Sequence, residues 1–290
     1  MCAAAACAKL SPMIRRPVLL LLAAAATLML AACGSSSDST SSKTTTAAKK
    51  VKPVYGTVNI EYATPKNKSE QIAQEVFSAG QTKEIAQAMA SNFKLPSDIK
   101  LEVVNGFVGP NWNPQTRAIT LSYGFLDYMA GIIRKNNKGI SDYDLGTQLG
   151  SLNGFILLHE MGHMLVNQLS LPVTGKEEDA VDELAAVMML KFVKDGDDYS
   201  FNAAKFFHDL SSDRGSLKES NYWDVHSLDE QRAYNIVCWV AGSSQADYAS
   251  IQKLGILGAD RLQGCPQEFE QKVNSWFTLL KPYFRKAAQS

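Results

Sequence analysis

The sequence lacks an excess of either charge, since it contains 29 lysine and arginine residues and 29 aspartate and glutamate residues among 290. A protein that binds nucleic acid normally shows a basic excess or a basic stripe, so the composition predicts no nucleic-acid partner. The chain also lacks the glycine-rich motifs that hold phosphates and the G-x-S-x-G elbow of serine hydrolases. These absences argue against nucleotide-dependent chemistry and against a serine nucleophile.

Long apolar runs are scarce as well. The run at residues 18–30 follows a basic segment and is too short to span a bilayer comfortably, but it has the length of a signal-peptide core. Residues 30–34 read L-A-A-C-G, which resembles the lipobox of bacterial lipoproteins, where the cysteine receives the lipid. We therefore expect residues 1–33 to be a lipoprotein signal peptide with lipidation at Cys33. The alternative is an ordinary secretion signal in which Cys33 is incidental.

Small and polar residues dominate the segment that follows, residues 34–54, with no apolar periodicity. Such a composition predicts a flexible tether between a lipid anchor and a folded domain. Gly34 stands where an aspartate would usually signal retention in the inner membrane of Gram-negative bacteria. We therefore expect a lipid-anchored protein of the cell envelope, on the outer membrane and facing the periplasm, whose membrane contact is made through Cys33.

From residue 55 onward, hydrophobic periodicity predicts one domain, residues 55–290, of the α+β class: a small N-terminal sheet followed by a mostly helical half. The strands are expected at residues 58–62, 99–104 and 117–123. A helical segment at 69–93, broken near Gly80, separates the first two strands. Further helices are expected at residues 125–135, 143–169, 175–194, 200–212, 227–240, 245–254 and 266–284.

The motif H-E-M-G-H occupies residues 159–163 within an apolar helical segment. Histidines four residues apart lie on one face of a helix, where both imidazoles can bind one Zn²⁺. Glu160 is placed to take a proton from a water that the metal activates. The alternative is that His159 and His163 are core histidines and Glu160 a surface residue. His208 is interpreted as a surface or packing histidine.

A zinc site of this kind needs a third protein ligand, and five carboxylates lie within residues 177–183. Thr174 and Glu177 fit the T-x-x-E capping box, which assigns Glu177 to the start of the next helix. Glu178 and Asp182 then share a helix face, so Glu178 is expected to bind the metal and Asp182 to hydrogen-bond a ligand histidine. The alternative is that these acids only favour the positive end of the helix dipole.

Together these motifs resemble the gluzincin branch of zinc metallopeptidases. More narrowly, the chain resembles a bacterial metallopeptidase family catalogued as a domain of unknown function, whose later signature matches H-S-L-D-E-Q-R at residues 226–232 and C-W at residues 238–239. The resemblance covers roughly residues 55–285 and implies a zincin-like fold, a Zn²⁺ cofactor and a peptide or protein substrate. It leads us to expect a small residue at position 181, where the chain has valine.

Two further residues are candidates for a role in the reaction. Ser227 and Glu230 fit a second capping box, which would place His226 in the loop at the mouth of a helix. We expect His226, oriented by Asp224, to donate a hydrogen bond to the negative charge that develops on the carbonyl oxygen, with Arg232 as a supporting residue that pairs with a site carboxylate. The alternative is that His226 only packs at the helix start and Arg232 forms a structural ion pair.

Only Cys238 and Cys265 remain once the signal segment is removed and Cys33 carries the lipid. An even pair in an oxidising compartment predicts a disulfide, and the alternative is two buried free thiols.

The sequence thus predicts a zinc-dependent metallopeptidase in which Glu160 is general base and then general acid. The strand at 117–123 is expected to be the edge strand that aligns a peptide by β-addition. The rival interpretations are a zinc-containing lipoprotein without catalysis and a zinc hydrolase of a non-peptide amide, such as a cell-wall bond.

Overall fold

The computed structural model describes residues 55–79 and 81–285. The expected signal peptide, the lipidation site Cys33 and the tether lie outside these residues. Within them, no helix combines the length and the apolar character that a membrane span requires. The described chain is α+β, with a small sheet near its N-terminal end and a mostly helical remainder, as the sequence predicts.

In the described residues, four strands form one mixed sheet. They are β1 (Val58–Tyr62), β2 (Ile99–Val104), β3 (Asn111–Asn113) and β4 (Ala118–Ser122), in the spatial order β1-β2-β4-β3. The first, second and fourth strands are parallel, and β3 is antiparallel to β4. The three predicted strands are confirmed, whereas β3 was not predicted because three residues inside a turn-like segment show no alternation.

The prediction that the strand at 117–123 forms an edge of the sheet is wrong. β4 lies between β2 and β3, and its residues are mostly buried. The chain reverses tightly between β3 and β4, with Arg117 in the left-handed region at φ 53°, and this reversal places β3 on the outside. On this side of the sheet the edge position therefore belongs to Asn111–Asn113, and β1 forms the opposite edge.

Two helices, α1 (Lys68–Ser78) and α2 (Gln81–Asn92), connect the parallel strands β1 and β2, and the predicted break between them is confirmed. Seven α-helices follow β4 in the described residues, each overlapping a predicted segment. They are α3 (Tyr123–Asn136), α4 (Asp142–Leu169), α5 (Glu177–Phe192), α6 (Gly196–Arg214), α7 (Asp229–Ser243), α8 (Gln245–Leu254) and α9 (Ala259–Leu280).

The last of these helices begins seven residues before the predicted start at Pro266. Proline is common at the first position of a helix, but here Pro266 lies inside the helix. Leu262 and Cys265 are buried on the N-terminal side of Pro266, so packing keeps this turn helical. Cys265 forms the expected disulfide with Cys238, which joins α9 to α7 across a separation of 27 residues. In the chain-entropy description, a disulfide that closes a loop of this length stabilises the folded protein by about 3–4 kcal/mol, because it restricts the unfolded chain.

The helix α4 is the centre of the helical half. From Leu149 onward it is buried on almost every side, whereas its first turn is exposed, and it packs against α2, α3, α5 and α6. Ser141 caps its first turn by accepting a hydrogen bond from the amide of Asp144, and Ser170 ends it in the left-handed conformation at φ 50°. Side chains on α4 near its C-terminal end therefore project into the protein interior rather than into solvent.

Gly162 allows α5 to approach α4 closely. A Cβ atom at Gly162 would lie 2.8 Å from the Cβ of Val181 and 2.9 Å from its Cγ1. Such distances are far shorter than a van der Waals contact, so a side chain does not fit here without movement of one helix. Val181 is fully buried against this glycine. The valine at a position where we expected a small residue is thus accommodated because its neighbour has no side chain.

Substitution of Gly162 tests this contact. We expect Gly162→Ala to lower the free energy of unfolding by about 1–3 kcal/mol, because the added methyl group overpacks the α4–α5 contact. Gly146→Ala is the matched control on the same helix, since a Cβ atom there meets nothing within 4 Å. It should raise stability by up to about 1 kcal/mol, as alanine favours a helix over glycine. Urea unfolding measures both variants, and equal stabilities would contradict the close contact.

Candidate metal centre

The two histidines of the H-E-x-x-H motif lie side by side on α4, as their spacing predicts. The Nε2 atoms of His159 and His163 are 3.3 Å apart. His159 and Glu160 are buried, with 6% and 5% of their surface exposed, and His163 is partly buried. The apolar sequence around the motif buries this turn of α4, so the imidazoles face a protected site rather than open solvent.

Glu178, in the first turn of α5, completes the group. Its Oε2 atom lies 3.1 Å from Nε2 of His159 and 3.2 Å from Nε2 of His163. In the described part of the chain, these three residues are the one group of three or more His, Cys, Asp and Glu side chains whose ligand atoms lie close enough to hold a metal ion. The close approach of α5 at Gly162 brings the glutamate to this position.

Each histidine is held from behind by a carboxylate. Nδ1 of His159 lies 2.7 Å from Oδ1 of Asp182, and Nδ1 of His163 lies 2.7 Å from Oε1 of Glu177. A carboxylate only accepts hydrogen bonds, so both Nδ1 atoms carry the proton and donate it. This arrangement fixes the ring orientation and directs both Nε2 atoms toward Oε2 of Glu178, as in metal sites where a carboxylate supports a ligand histidine.

The three convergent atoms are all acceptors when the imidazoles are neutral. Two lone pairs and a carboxylate oxygen at about 3 Å repel one another unless positive charge lies between them. Two nitrogen ligands and one carboxylate oxygen are also the donor set that Zn²⁺ takes in catalytic sites. The residues present therefore fit a zinc ion.

The pKa values of the site also indicate that positive charge is favoured among these three atoms. Burial opposes a charge on His159, yet hydrogen bonds to Asp182 and Glu178 raise its pKa to about 9. The pKa of His163 is raised by its bonds to Glu178 and Glu177 against the same opposing effect of burial. The pKa of Glu178 lies well below its usual range because the histidines outweigh its burial. The cluster thus stabilises positive charge where the three acceptor atoms meet.

The assignment of Glu177 to a helix cap is wrong. The helix α5 begins at Glu177 with Lys176 at the cap position, and no side chain caps it. Thr174 lies outside this arrangement, so the T-x-x-E pattern does not form a capping box. The Glu177 carboxylate instead accepts the Nδ1 proton of His163. Sequence reasoning missed this role because a local pattern cannot show which distant side chain a carboxylate meets.

Asp182 joins His159 to Arg232. The guanidinium donates from Nε to Oδ2 at 2.7 Å and from Nη2 to Oδ1 at 2.8 Å, and it stacks on the ring of Phe207 at 3.9 Å. Burial alone would raise the pKa of Asp182, but Arg232 and His159 lower it to about 2. The expectation that Arg232 pairs with a site carboxylate is therefore confirmed, and Asp182 stays ionised between two donors.

His226 reaches the group from the loop before α7. Its Nε2 atom lies 3.0 Å from Oε2 of Glu178, and its ring is stacked 6.4 Å from that of His159. Asp224 contacts it as expected, since its Oδ1 accepts from the His226 amide at 2.9 Å and lies 3.2 Å from Nδ1. Hydrogen bonding to Glu178 raises the pKa of His226. His226 therefore lies beside the three convergent acceptor atoms and contacts the group through Glu178.

The second predicted capping box does not form either. The helix α7 begins at Asp229, two residues later than predicted, and Ser227 donates its hydroxyl proton to Oδ2 of Asp179 at 2.8 Å. Lys176 donates from Nζ to the backbone oxygens of Asp224 and His226, at 2.9 and 3.1 Å. The start of α5 thus holds the loop that carries His226, a contact that the sequence does not reveal.

In this chain, an H-E-x-x-H helix supplies two histidines and the next helix supplies a glutamate. This arrangement is that of a candidate His-His-Glu metal site. The chain belongs to the DUF4344 family, described as "Putative metallopeptidase", whose model matches residues 62–280. Comparison with the curated proteins and comparison with the solved structures each gave no match. The family description names a metallopeptidase, and the site geometry independently shows a group of side chains that could hold a metal ion.

Zinc affinity should separate the roles of the α5 carboxylates. We expect Glu178→Gln to cause the largest loss, because it removes a ligand charge from the group. Glu177→Gln and Asp182→Asn should each weaken binding by about 10–100-fold, since each removes the carboxylate behind a ligand histidine. Glu183→Gln is the matched control, because Glu183 follows Asp182 but pairs with Lys272. Competition with a chromophoric chelator measures the affinities, and unchanged binding in Glu178→Gln would refute the assignment.

Proposed function

We propose that this protein is a zinc-dependent metallopeptidase of the gluzincin type, with His159, His163 and Glu178 as the metal ligands. When bound, Zn²⁺ supplies a Lewis acid that acidifies a water molecule and polarises the scissile carbonyl. The observation that carries the proposal is the buried carboxylate of Glu160 beside three convergent acceptor atoms. The family description supports peptide bonds as the substrate class.

Glu160 is proposed as the general base and then the general acid. Burial raises the pKa of its carboxyl group, which brings proton uptake closer to neutral pH. Among the described residues, no side chain or backbone group hydrogen-bonds its carboxylate, so its oxygens are free to take the proton of the attacking water. The same group then returns that proton to the leaving amine. A site that held zinc only for structure would gain nothing from an unpaired buried carboxylate, which is costly.

His226 and Arg232 are proposed to act at two different points. The imidazole of His226 has Nδ1 near Asp224 and Nε2 beside Oε2 of Glu178. With that carboxylate oxygen bound to the metal, Nε2 would donate instead to the negative charge that develops on the carbonyl oxygen. Arg232 supports the reaction indirectly, since its bidentate pair with Asp182 fixes the carboxylate that orients His159. The edge strand β3 packs near α4 and is proposed to align the peptide by β-addition in place of β4.

We also propose that Cys33 carries a lipid and that residues 34–54 tether the domain to the outer membrane, facing the periplasm. The L-A-A-C-G sequence, the preceding apolar run and Gly34 support this location. In that compartment a cell-wall amide is the alternative substrate of the same zinc chemistry. A peptidoglycan assay beside the peptide assay distinguishes the two substrates.

Removing the proposed base tests the mechanism. Zinc-loaded wild-type protein should hydrolyse members of a quenched peptide library, and Glu160→Gln should lower kcat by at least about 100-fold while keeping its zinc. Glu183→Gln is the control, because Glu183 is a partly buried carboxylate on the same helix as Glu178 but outside the metal group. It should leave kcat unchanged. Retention of full activity by Glu160→Gln would remove Glu160 from the mechanism. Cleavage of peptidoglycan without cleavage of any peptide would transfer the activity to the cell-wall amide.

Removing the proposed hydrogen-bond donor gives a separate prediction. His226→Ala should lower kcat by roughly 10²–10³-fold with zinc content and folding intact, which is the cost of losing one donor to the developing charge. His208→Ala is the control, since His208 lies on α6 outside the metal group. Steady-state kinetics and metal analysis on both variants decide the matter, and near-normal kcat in His226→Ala would leave His226 without a catalytic role.

A further inference from the structure

The loop between α6 and α7, residues 215–228, exposes four large apolar side chains within nine residues of sequence. We refer to it as the His226 loop. Tyr222, Trp223 and Val225 each expose 65–70% of their surface, and Leu217 is exposed as well. Large apolar side chains that cluster in solvent mark binding surfaces in soluble proteins, and aromatic residues are enriched at such surfaces. This loop therefore has the composition of a binding element.

Chain continuity places this surface beside the candidate metal centre. His226, whose Nε2 lies 3.0 Å from Glu178, follows Val225 directly and Trp223 by three residues. Because consecutive Cα atoms are about 3.8 Å apart, the Cα of Trp223 lies at most about 11 Å from that of His226. An extended peptide covers about 3.3 Å per residue. If the scissile bond of a peptide lies at the metal centre, its side chains up to about three residues away from that bond can therefore reach the loop.

The His226 loop is held in place by polar contacts that leave its apolar side chains exposed. Lys176 binds the backbone oxygens of Asp224 and His226, and Ser227 binds Asp179. At the other end of the loop, a short 3₁₀ turn is closed by a bond from the amide of Lys218 to the side chain of Asn221. A surface fixed before binding loses little entropy when a ligand arrives.

The charged side chains of the loop do not form a patch of one sign that would favour a charged ligand. Lys218 and Glu219 are neighbours of opposite sign, and Asp224 is already bonded to His226. The complementary group is therefore an uncharged apolar one.

We propose that Tyr222, Trp223 and Val225 form a subsite that binds a large aliphatic or aromatic side chain of the peptide substrate, within about three residues of the scissile bond. The proposal rests on the proposed function and adds the substrate class to it. Peptides with leucine or phenylalanine near the cleaved bond are then preferred over peptides that carry small polar residues there.

Binding without turnover provides the test. The protein is the zinc-loaded full chain with Glu160→Gln, and the probes are two dye-labelled octapeptides of equal charge, one with central leucine and phenylalanine and one with central serine and glycine. Fluorescence anisotropy should show about 10-fold tighter binding of the apolar peptide. Adding Trp223→Ala should weaken the binding of the apolar peptide by about 10-fold, as for an interface hot spot. The binding of the polar peptide should change little.

The matched control is Tyr143→Ala in the same background. Tyr143 is also highly exposed and lies on α4, but it precedes His159 by 16 residues, about 24 Å along the helix. It should change the affinity of neither peptide. Val225→Ser is a second loop variant that should repeat the selective loss, and circular dichroism verifies that each variant is folded.

The outcomes separate the subsite from the proposed function. Equal affinities for the two peptides, or a Trp223→Ala variant that keeps the apolar preference, would overturn the subsite even if wild-type protein cleaves peptides. Trp223-dependent selective binding together with a zinc-loaded wild type that cleaves no peptide would support the subsite as a binding site and refute the peptidase assignment. Selective binding together with peptide cleavage supports both.

Discussion

The contact between α5 and α4 at Gly162 is the constraint on which the candidate metal centre depends. Because Gly162 has no side chain, Val181 packs directly against the α4 backbone, and α5 approaches closely enough for Glu178 to meet both histidines. A ligand atom displaced by even an ångström would no longer share one ion with its neighbours. The glycine inside H-E-M-G-H therefore contributes to the geometry of the site through the space that it leaves for Val181.

The first two turns of α5 also distribute five carboxylates among different partners, so almost no negative charge is left without a donor. Each acid reaches another part of the helical half, and together they link α5 to α4, α9 and the His226 loop. The pairs are Glu177 with His163, Glu178 with the three histidines, Asp179 with Ser227, Asp182 with His159 and Arg232, and Glu183 with Lys272.

Holding ionised groups in a buried site requires a rigid scaffold. Arg232 is fixed on α7 by its pair with Asp182 and its stacking on Phe207, and the Cys238–Cys265 disulfide joins α7 to α9. These contacts keep the donors in place when the acceptors around the metal position repel one another. Stability depends on the same buried pair: removing Asp182 leaves the Arg232 guanidinium buried without its bidentate partner, which costs more than the lost pair itself.

The sequence alone predicts the α+β class, three of the four strands in the described residues, the order of the helices, the H-E-x-x-H face and the disulfide pair. Each of these follows from a local period, a motif spacing or the parity of the cysteines. Three features could be found only in the folded protein: β3 rather than β4 lies at this edge of the sheet, Glu177 hydrogen-bonds His163 instead of capping a helix, and Lys176 and Asp179 hold the His226 loop. These outcomes depend on contacts between residues that are distant in the chain, and local patterns such as T-x-x-E and S-x-x-E are satisfied equally well by structures that never form the cap.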